Sequence, residues 1–114
     1  MNGTDAARRE VIRLGHPVLR QVAESVPDRW LGTGQLRELG RDLVHTMAVE
    51  QGVGLAAPQI AEGLRLFAYW VPAFEDRPEV PPTVLVNPEI RVIGEEVDEG
   101  WEGCLSIPGL RGLV

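Results

Sequence analysis

Apolar side chains recur at three- and four-residue steps between residues 33 and 51, the spacing that places them on one face of an α-helix. The recurring positions are Leu36, Leu39, Leu43 and Met47. We therefore predict a helix over residues 33–51 that Gly52 ends. His45 lies two residues from both Leu43 and Met47, roughly 200° around such a helix, so its side chain is expected to face solvent.

Three later runs have the pattern of β-strands, with β-branched residues bounded by Gly and Pro. Residues 64–71 (LRLFAYWV) and 83–87 (TVLVN) predict two strands joined by a proline-rich loop, 72–82. Residues 89–97 alternate polar and apolar positions and predict a third strand that pairs with its neighbour. Residues 52–59 (GVGLAAPQ) are too rich in Gly for a surface helix and too apolar for a solvated loop, so a packed, extended segment is expected. Together these elements predict an α+β fold with an N-terminal helix and an antiparallel or mixed sheet.

The composition of the chain limits its function classes. With 114 residues it has the length of one domain. Its formal net charge of −6 leaves no broad basic surface for a phosphate backbone, so nucleic-acid binding is not expected. All eleven basic residues are Arg, which excludes Schiff-base chemistry on Lys. No run approaches the roughly eighteen apolar residues that suggest a membrane span, so membrane insertion is not expected either.

Cys104 is the single cysteine of the chain and cannot form an internal disulfide. This fits a reducing, cytoplasmic setting and leaves either a buried apolar thiol or a reactive one. Polar residues and glycines surround it in residues 98–109, which weakens the buried alternative. A thiol nucleophile needs a nearby base, and the only histidines are His16 and His45. His16 lies in a proline turn, where we expect it to cap the backbone.

Residues 52–57 match G-x-G-x-x-A, the dinucleotide-binding fingerprint. That fingerprint follows a strand and opens a helix, whereas this segment follows the predicted helix, so a packed glycine-rich turn is favoured over a nucleotide site. A third alternative is that Gly52 and Gly54 leave a bare strand edge, to which an extended peptide adds through main-chain hydrogen bonds.

Three segments together resemble the motifs of the peptide deformylases: HPVLR at residues 16–20, GVGLAAPQ at 52–59 and EGCLS at 102–106. The resemblance covers nearly the whole chain. It implies a metal-dependent hydrolase that removes the formyl group from the N-terminal formyl-methionine of nascent polypeptides. The implied metal is Fe²⁺, with Zn²⁺ and Ni²⁺ as alternatives, and ribosome association is implied for the full-length protein.

The resemblance also assigns roles to individual residues. Cys104 matches the thiolate metal ligand of the family. Gln59 matches the glutamine whose amide stabilises the developing oxyanion, and the backbone N–H of Leu105 is the second donor. The family's peptide substrate lies extended between the glycine-rich segment GVGLAAPQ and the cysteine segment EGCLS. The residues expected to contact it are Val53, Gly54 and Gly103.

The chain departs from the family pattern in one respect. The third family motif is an H-E-x-x-H helix that supplies two histidine ligands and the glutamate general acid and base, and residues 1–114 do not contain it. We therefore expect a single, incomplete domain over residues 1–114 that ends before the metal-binding helix, binds metal weakly or not at all, and is inactive alone. The alternative is a non-catalytic peptide-binding fragment that uses the exposed strand edge.

Overall fold

A computed structural model describes residues 6–114 of the chain. These residues form one α-helix and five strands. The elements are α1 (Gly34–Val49), β1 (Gly54–Ala56), β2 (Leu66–Val71), β3 (Val80–Val86), β4 (Trp101–Cys104) and β5 (Ile107–Leu113). Short 3₁₀ turns occupy Pro17–Arg20, Asp28–Trp30 and Ala57–Ile60. The predicted α+β class is confirmed, and both sheets are antiparallel.

The helix α1 lies within the predicted range, but Gly52 does not end it in the expected way. The left-handed residue after the helix is Gln51, with φ of 60°. The Gln51 N–H donates to the Ala48 carbonyl at 3.1 Å, and the Gly52 N–H donates to the Met47 carbonyl at 2.9 Å. This is a Schellman motif in which glycine occupies the position after the left-handed one. Glycine suits residue 52 for a different reason, which is the close approach of the Leu105 side chain.

Three strands form the main sheet in the order β1-β2-β3, with β2 in the centre. The predicted strand at 83–87 begins earlier than expected, because β3 already starts at Val80 and includes Pro81 and Pro82. Proline cannot donate to a ladder, so it is tolerated in strands mainly at sheet edges. β3 is an edge strand, and the loop before it is correspondingly shorter than predicted.

One face of the helix packs on this sheet and forms the core. Its residues Leu39, Leu43 and Met47 are buried, as the apolar spacing predicts, and His45 is exposed. The full set of buried apolar residues is Val26, Leu39, Leu43, Met47, Leu55, Ala57, Ile60, Leu66 and Ala68. No helix within the described part of the chain has the length and apolar character needed to cross a bilayer.

The remaining strands, β4 and β5, form a separate two-stranded hairpin. The predicted third strand at residues 89–97 is wrong, since this stretch has no regular secondary structure. Its apolar side chains are not buried: Ile90 is 95% exposed and Ile93 is 89% exposed. Alternating residues form a strand only where a neighbouring backbone takes up their hydrogen bonds, and no strand among residues 6–114 pairs with this run.

Residues 7–14, which we call the N-terminal strap, cross the molecule without regular secondary structure. Four of its backbone N–H groups donate to distant acceptors. They are Ala7 to Asp42 Oδ1 at 2.8 Å, Arg9 to Thr46 Oγ1 at 2.8 Å, Ile12 to the Gln59 carbonyl at 2.8 Å and Leu14 to the Ser106 carbonyl at 2.9 Å. The strap therefore joins α1 to the two segments that carry Gln59 and Cys104.

Candidate active site

One cleft of about 1470 Å³ lies between the β1 segment, the hairpin and the N-terminal strap. The cleft is lined by all six residues that the sequence analysis predicts for the site. They are Val53, Gly54, Gln59, Gly103, Cys104 and Leu105. The fold thus brings together two segments, those of Gln59 and Cys104, that are 45 residues apart in the sequence. Neither segment alone predicts this proximity.

The side chain of Gln59 contacts the cysteine segment directly. Its Nε2 lies 3.5 Å from Cys104 Sγ and 3.1 Å from Ser106 Oγ, and donates to both. Its Oε1 accepts the backbone N–H of Ala56 at 2.9 Å. The Ala56 N–H can only donate, so it must face the oxygen of the Gln59 amide. This fixes the orientation of the amide, and its NH₂ group faces the thiol.

The local chain path explains how Gln59 reaches this position. After β1 the chain turns through the 3₁₀ segment Ala57–Ile60, with Pro58 in its first turn. Proline suits the start of a helical turn for two reasons. Its ring sets φ near the helical value, and an N–H at this position would have no acceptor within the turn, so its absence costs no hydrogen bond. The turn ends at Ala61, which is left-handed with φ of 65°. Gln59 therefore lies in one tight turn and can fold back onto the end of β1.

Leu105 begins the two-residue turn between β4 and β5, next to the paired residues Cys104 and Ile107. Its side chain packs against the core, where a Cβ built on Gly52 would come within 2.8 Å of Leu105 Cδ1. The Leu105 backbone N–H has no acceptor among residues 6–114. The Leu105 N–H is thus an unpaired donor at the turn, while the Leu105 side chain packs the hairpin against the end of α1.

The outer edge of β1 is open towards the cleft. The carbonyl of Val53 accepts the Trp70 N–H at 2.9 Å, so this pair of residues is hydrogen-bonded across β1 and β2. In an antiparallel ladder the next pair, Gly54 with Tyr69, is then the non-hydrogen-bonded kind. The N–H and C=O of Gly54 consequently point away from β2, and the Val53 side chain is exposed beside them. This is the bare strand edge that the glycines suggest.

Cys104 is an exposed, free thiol. Within residues 6–114 no group of three or more His, Cys, Asp or Glu side chains is arranged to hold a metal ion. The histidines contribute nothing to the cleft, since His16 Nδ1 accepts the Val18 N–H at 3.2 Å as a turn cap and His45 is exposed on α1. The described residues therefore supply one soft ligand and do not by themselves form a metal site.

Ser106 is the site residue that sequence reasoning missed. It is 4% exposed, and its side chain and carbonyl both accept hydrogen bonds. The sign in the sequence was a lone hydroxyl between Leu105 and Ile107, because a polar residue in an apolar stretch is buried only if it is hydrogen-bonded. The nucleotide-binding alternative finds no support, since residues 52–57 follow α1, form β1 and lead into the short 3₁₀ turn Ala57–Ile60, whereas the fingerprint follows a strand and opens an α-helix.

Comparison with known proteins gives a consistent result. Residues 8–114 match the family model described as polypeptide deformylase. The chain is 43% identical over 109 residues to peptide deformylase 2 of Pseudomonas putida, covering 93% of this chain and 61% of that protein. It is 48% identical over 107 residues to peptide deformylase 1 of Bordetella pertussis, covering 91% and 60%. The chain thus spans about three fifths of the length of these curated relatives.

Solved structures agree with the sequence comparison. A Met-Ala-Ser-bound class I type b peptide deformylase from Acinetobacter baumannii superposes with a TM-score of 0.87 and 34% identity, covering 96% of this chain and 71% of that one. A peptide deformylase from Thermotoga maritima superposes with a TM-score of 0.81 and 31% identity, covering 95% and 67%. The similarity therefore extends to the fold of nearly all of this chain.

Proposed function

Because the chain belongs to the polypeptide deformylase family, we propose that its cleft is the carbonyl-polarising and peptide-binding part of an enzyme that hydrolyses the formamide bond of N-terminal formyl-methionine. The observation that carries this proposal is the 3.5 Å approach of Gln59 Nε2 to Cys104 Sγ. The substrates are formyl-methionyl nascent polypeptides in the cytoplasm, and the full-length protein meets them at the ribosome.

Two donors serve the formyl oxygen. Hydrolysis of a formamide puts negative charge on this oxygen as the carbonyl carbon becomes tetrahedral, and donors already aimed at it stabilise that charge. Ala56 holds the Gln59 oxygen and Ser106 accepts one of the two Nε2 hydrogens, so the second hydrogen, which faces Cys104 Sγ at 3.5 Å, is the one that serves the formyl oxygen. The Leu105 N–H is unpaired among the described residues. Removing one such donor costs about 3 kcal/mol in other hydrolases, roughly a hundredfold in rate.

The open edge of β1 aligns the peptide. An extended chain placed beside Gly54 takes up its outward N–H and C=O, as an added strand does. The exposed Val53 side chain and the exposed backbone of Gly103 lie in the same cleft and contact the substrate on either side. This arrangement recognises main chain, which suits an enzyme that processes many different polypeptides.

Peptide deformylases are metal-dependent hydrolases. We assign the Cys104 thiolate as a ligand of that metal, with Fe²⁺ as the resident ion and Zn²⁺ or Ni²⁺ as alternatives, since a thiolate suits each of them. Within residues 6–114 no group of three or more His, Cys, Asp or Glu side chains is arranged to hold a metal ion. Two carboxylates line the cleft, Glu10 and Glu50, but neither belongs to the H-E-x-x-H motif that supplies the general acid and base of the family. The 114-residue chain by itself is therefore expected to bind metal weakly and not to turn over.

The test uses a formyl-Met-Ala-Ser peptide and its unformylated counterpart, each titrated into the purified chain and assayed for formate release with added Fe²⁺. We expect binding that favours the formylated peptide, loss of that preference in Gln59→Leu, and no metal-dependent turnover. Appreciable turnover contradicts the proposed inactivity of the chain alone. Absence of any peptide binding contradicts the assignment of the cleft.

The open edge also supports the alternative, a non-catalytic peptide-binding fragment. A chain that uses only the Gly54 edge binds both peptides equally, because the edge contacts main chain and not the formyl group. If the chain binds the formylated and the unformylated peptide with equal affinity, and Gln59→Leu leaves both affinities unchanged, this alternative is favoured over the deformylase assignment.

A further inference from the structure

The first half of the N-terminal strap is fixed to α1 by buried acceptors. Asp42 and Thr46 are buried polar residues of the helix, and they accept the N–H groups of Ala7 and Arg9. Arg9 Nε also donates to Asp42 Oδ2 at 2.8 Å. Burial alone lowers the pKa of Arg9, but the hydrogen bond and charge of Asp42, with a contribution from Glu62, raise it, so the guanidinium stays charged.

The second half of the strap is fixed to the two segments of the site. The Ile12 N–H donates to the Gln59 carbonyl and the Leu14 N–H donates to the Ser106 carbonyl. The side chains of the same two acceptor residues are joined by the 3.1 Å bond from Gln59 Nε2 to Ser106 Oγ. Strap, glutamine and serine therefore form a closed ring of hydrogen bonds, in which the strap sets the separation of the two segments.

The hairpin has few other polar connections to the body. Among residues 6–114, the bond from Leu14 to Ser106 is the one backbone hydrogen bond that links residues 100–114 to the rest of the chain. Leu105 adds apolar packing against the end of α1, but apolar contacts are not directional. The orientation of the Cys104 segment relative to Gln59 thus depends on the strap.

We propose that the N-terminal strap is a positioning element of the site. The backbone N–H of Leu14, held in place by Asp42 through Arg9, seats Ser106 and so orients the Gln59 amide towards Cys104. The importance of this geometry for catalysis rests on the proposed function. The experiment measures the geometry and the amide exchange rates of the unliganded chain and requires neither peptide nor turnover. Its outcome is therefore independent of whether the deformylase proposal holds.

The decisive variant is Leu14→Pro. The His16 N–H donates to the Arg13 carbonyl at 3.1 Å, and Gly15 has φ of 101°, which makes residues 13–16 a type II turn with Leu14 at its second position. Proline is favoured at that position, so the substitution preserves the turn while it removes the N–H and places the ring Cδ against the Ser106 carbonyl, which breaks the connection. The Leu14 side chain is 74% exposed, so Leu14→Ala is the matched control that retains the N–H.

The readout is the nuclear Overhauser effect between the Gln59 side-chain NH₂ protons and the Ser106 β-protons in the ¹⁵N-labelled chain. We expect it to be lost in Leu14→Pro and retained in Leu14→Ala, with the amide resonance of the core residue Ala68 unchanged in both. A folded Leu14→Pro chain that keeps this effect overturns the proposal.

A second pair of variants decides the question if Leu14→Pro does not fold. Asp42→Asn removes the buried charge that holds Arg9, whereas Glu50→Gln removes the charge that pairs with Arg8 of the same strap near the surface. We expect hydrogen exchange at the Ile12 and Leu14 amides to accelerate about tenfold relative to Ala68 in Asp42→Asn, and to stay unchanged in Glu50→Gln. Equal rates in the two variants overturn the proposal.

Discussion

Replacing Gly52 by alanine tests whether the end of α1 and the cysteine segment are packed as the structure shows. A Cβ at this position would lie 2.8 Å from Leu105 Cδ1 and 3.3 Å from Leu105 Cγ. Residue 52 is outside the left-handed region, so its backbone accepts alanine and the cost is steric. Rotation about χ2 of Leu105 moves Cδ1 but leaves Cγ at 3.3 Å, so full relief requires a new χ1 rotamer in the packed site or a shift of the hairpin backbone.

The magnitude follows from two opposing effects. Overpacking a well-packed site costs about 1–3 kcal/mol. Replacing glycine by alanine also reduces the conformational freedom of the unfolded chain, which stabilises the fold by about 0.4–1 kcal/mol where the backbone permits it. We therefore expect Gly52→Ala to lower the free energy of unfolding by about 1–2 kcal/mol. A shift of the hairpin backbone that relieves the contact also displaces the Leu105 N–H, so the variant should weaken the preference for formylated peptide.

The assay is urea unfolding of Gly52→Ala, Leu105→Ala and the double variant. Leu105→Ala removes Cγ and Cδ1 and so relieves the clash. In the Leu105→Ala background, Gly52→Ala should therefore lower the free energy of unfolding by almost nothing. The double-mutant cycle should then show a coupling energy of about 1–2 kcal/mol. Gly63→Ala is the matched control, because no atom lies within 4 Å of its added Cβ and its backbone is not left-handed. Additive effects in the cycle, or an equal loss of stability in Gly63→Ala, would refute the packing argument.

Three further predictions concern the helix, the core and the thiol. Thr33→Ala removes the side-chain oxygen that accepts the Leu36 N–H at the start of α1, and should cost about 1 kcal/mol in urea unfolding, whereas a loss near zero would show that the cap is not formed in solution. Leu43→Ala empties a fully buried position and should cost about 2–5 kcal/mol by the same measurement; a loss below that range would mean that the helix is not packed on the sheet. Cys104 should be alkylated by iodoacetamide in the native chain, as followed by mass spectrometry, with Cys104→Ser as the blank, because its thiol is exposed. Because the chain alone is expected to bind metal weakly, Zn²⁺ is added in large excess; it should then slow the reaction if the thiolate is a metal ligand, and a rate that stays unchanged at the highest excess would contradict the assignment.

The sequence by itself determined the local elements. The spacing of Leu36, Leu39, Leu43 and Met47 predicts α1 and its buried face, because helical periodicity depends only on neighbours three and four residues away. The run at 64–71 likewise predicts β2, and the proline-bounded run after it predicts β3 apart from its first three residues. The resemblance of three short motifs, HPVLR, GVGLAAPQ and EGCLS, indicated the family, and the family model and relatives confirm it.

Only the tertiary structure decided which residues meet. The third predicted strand is wrong because a strand needs a partner that local alternation cannot specify. The contact of Gln59 with Cys104, the burial of Ser106 and the strap that joins them to Asp42 all involve residues more than 30 positions apart. Such contacts arise from the packing of α1 on the sheet and the seating of the hairpin, which no pattern of neighbouring residues determines.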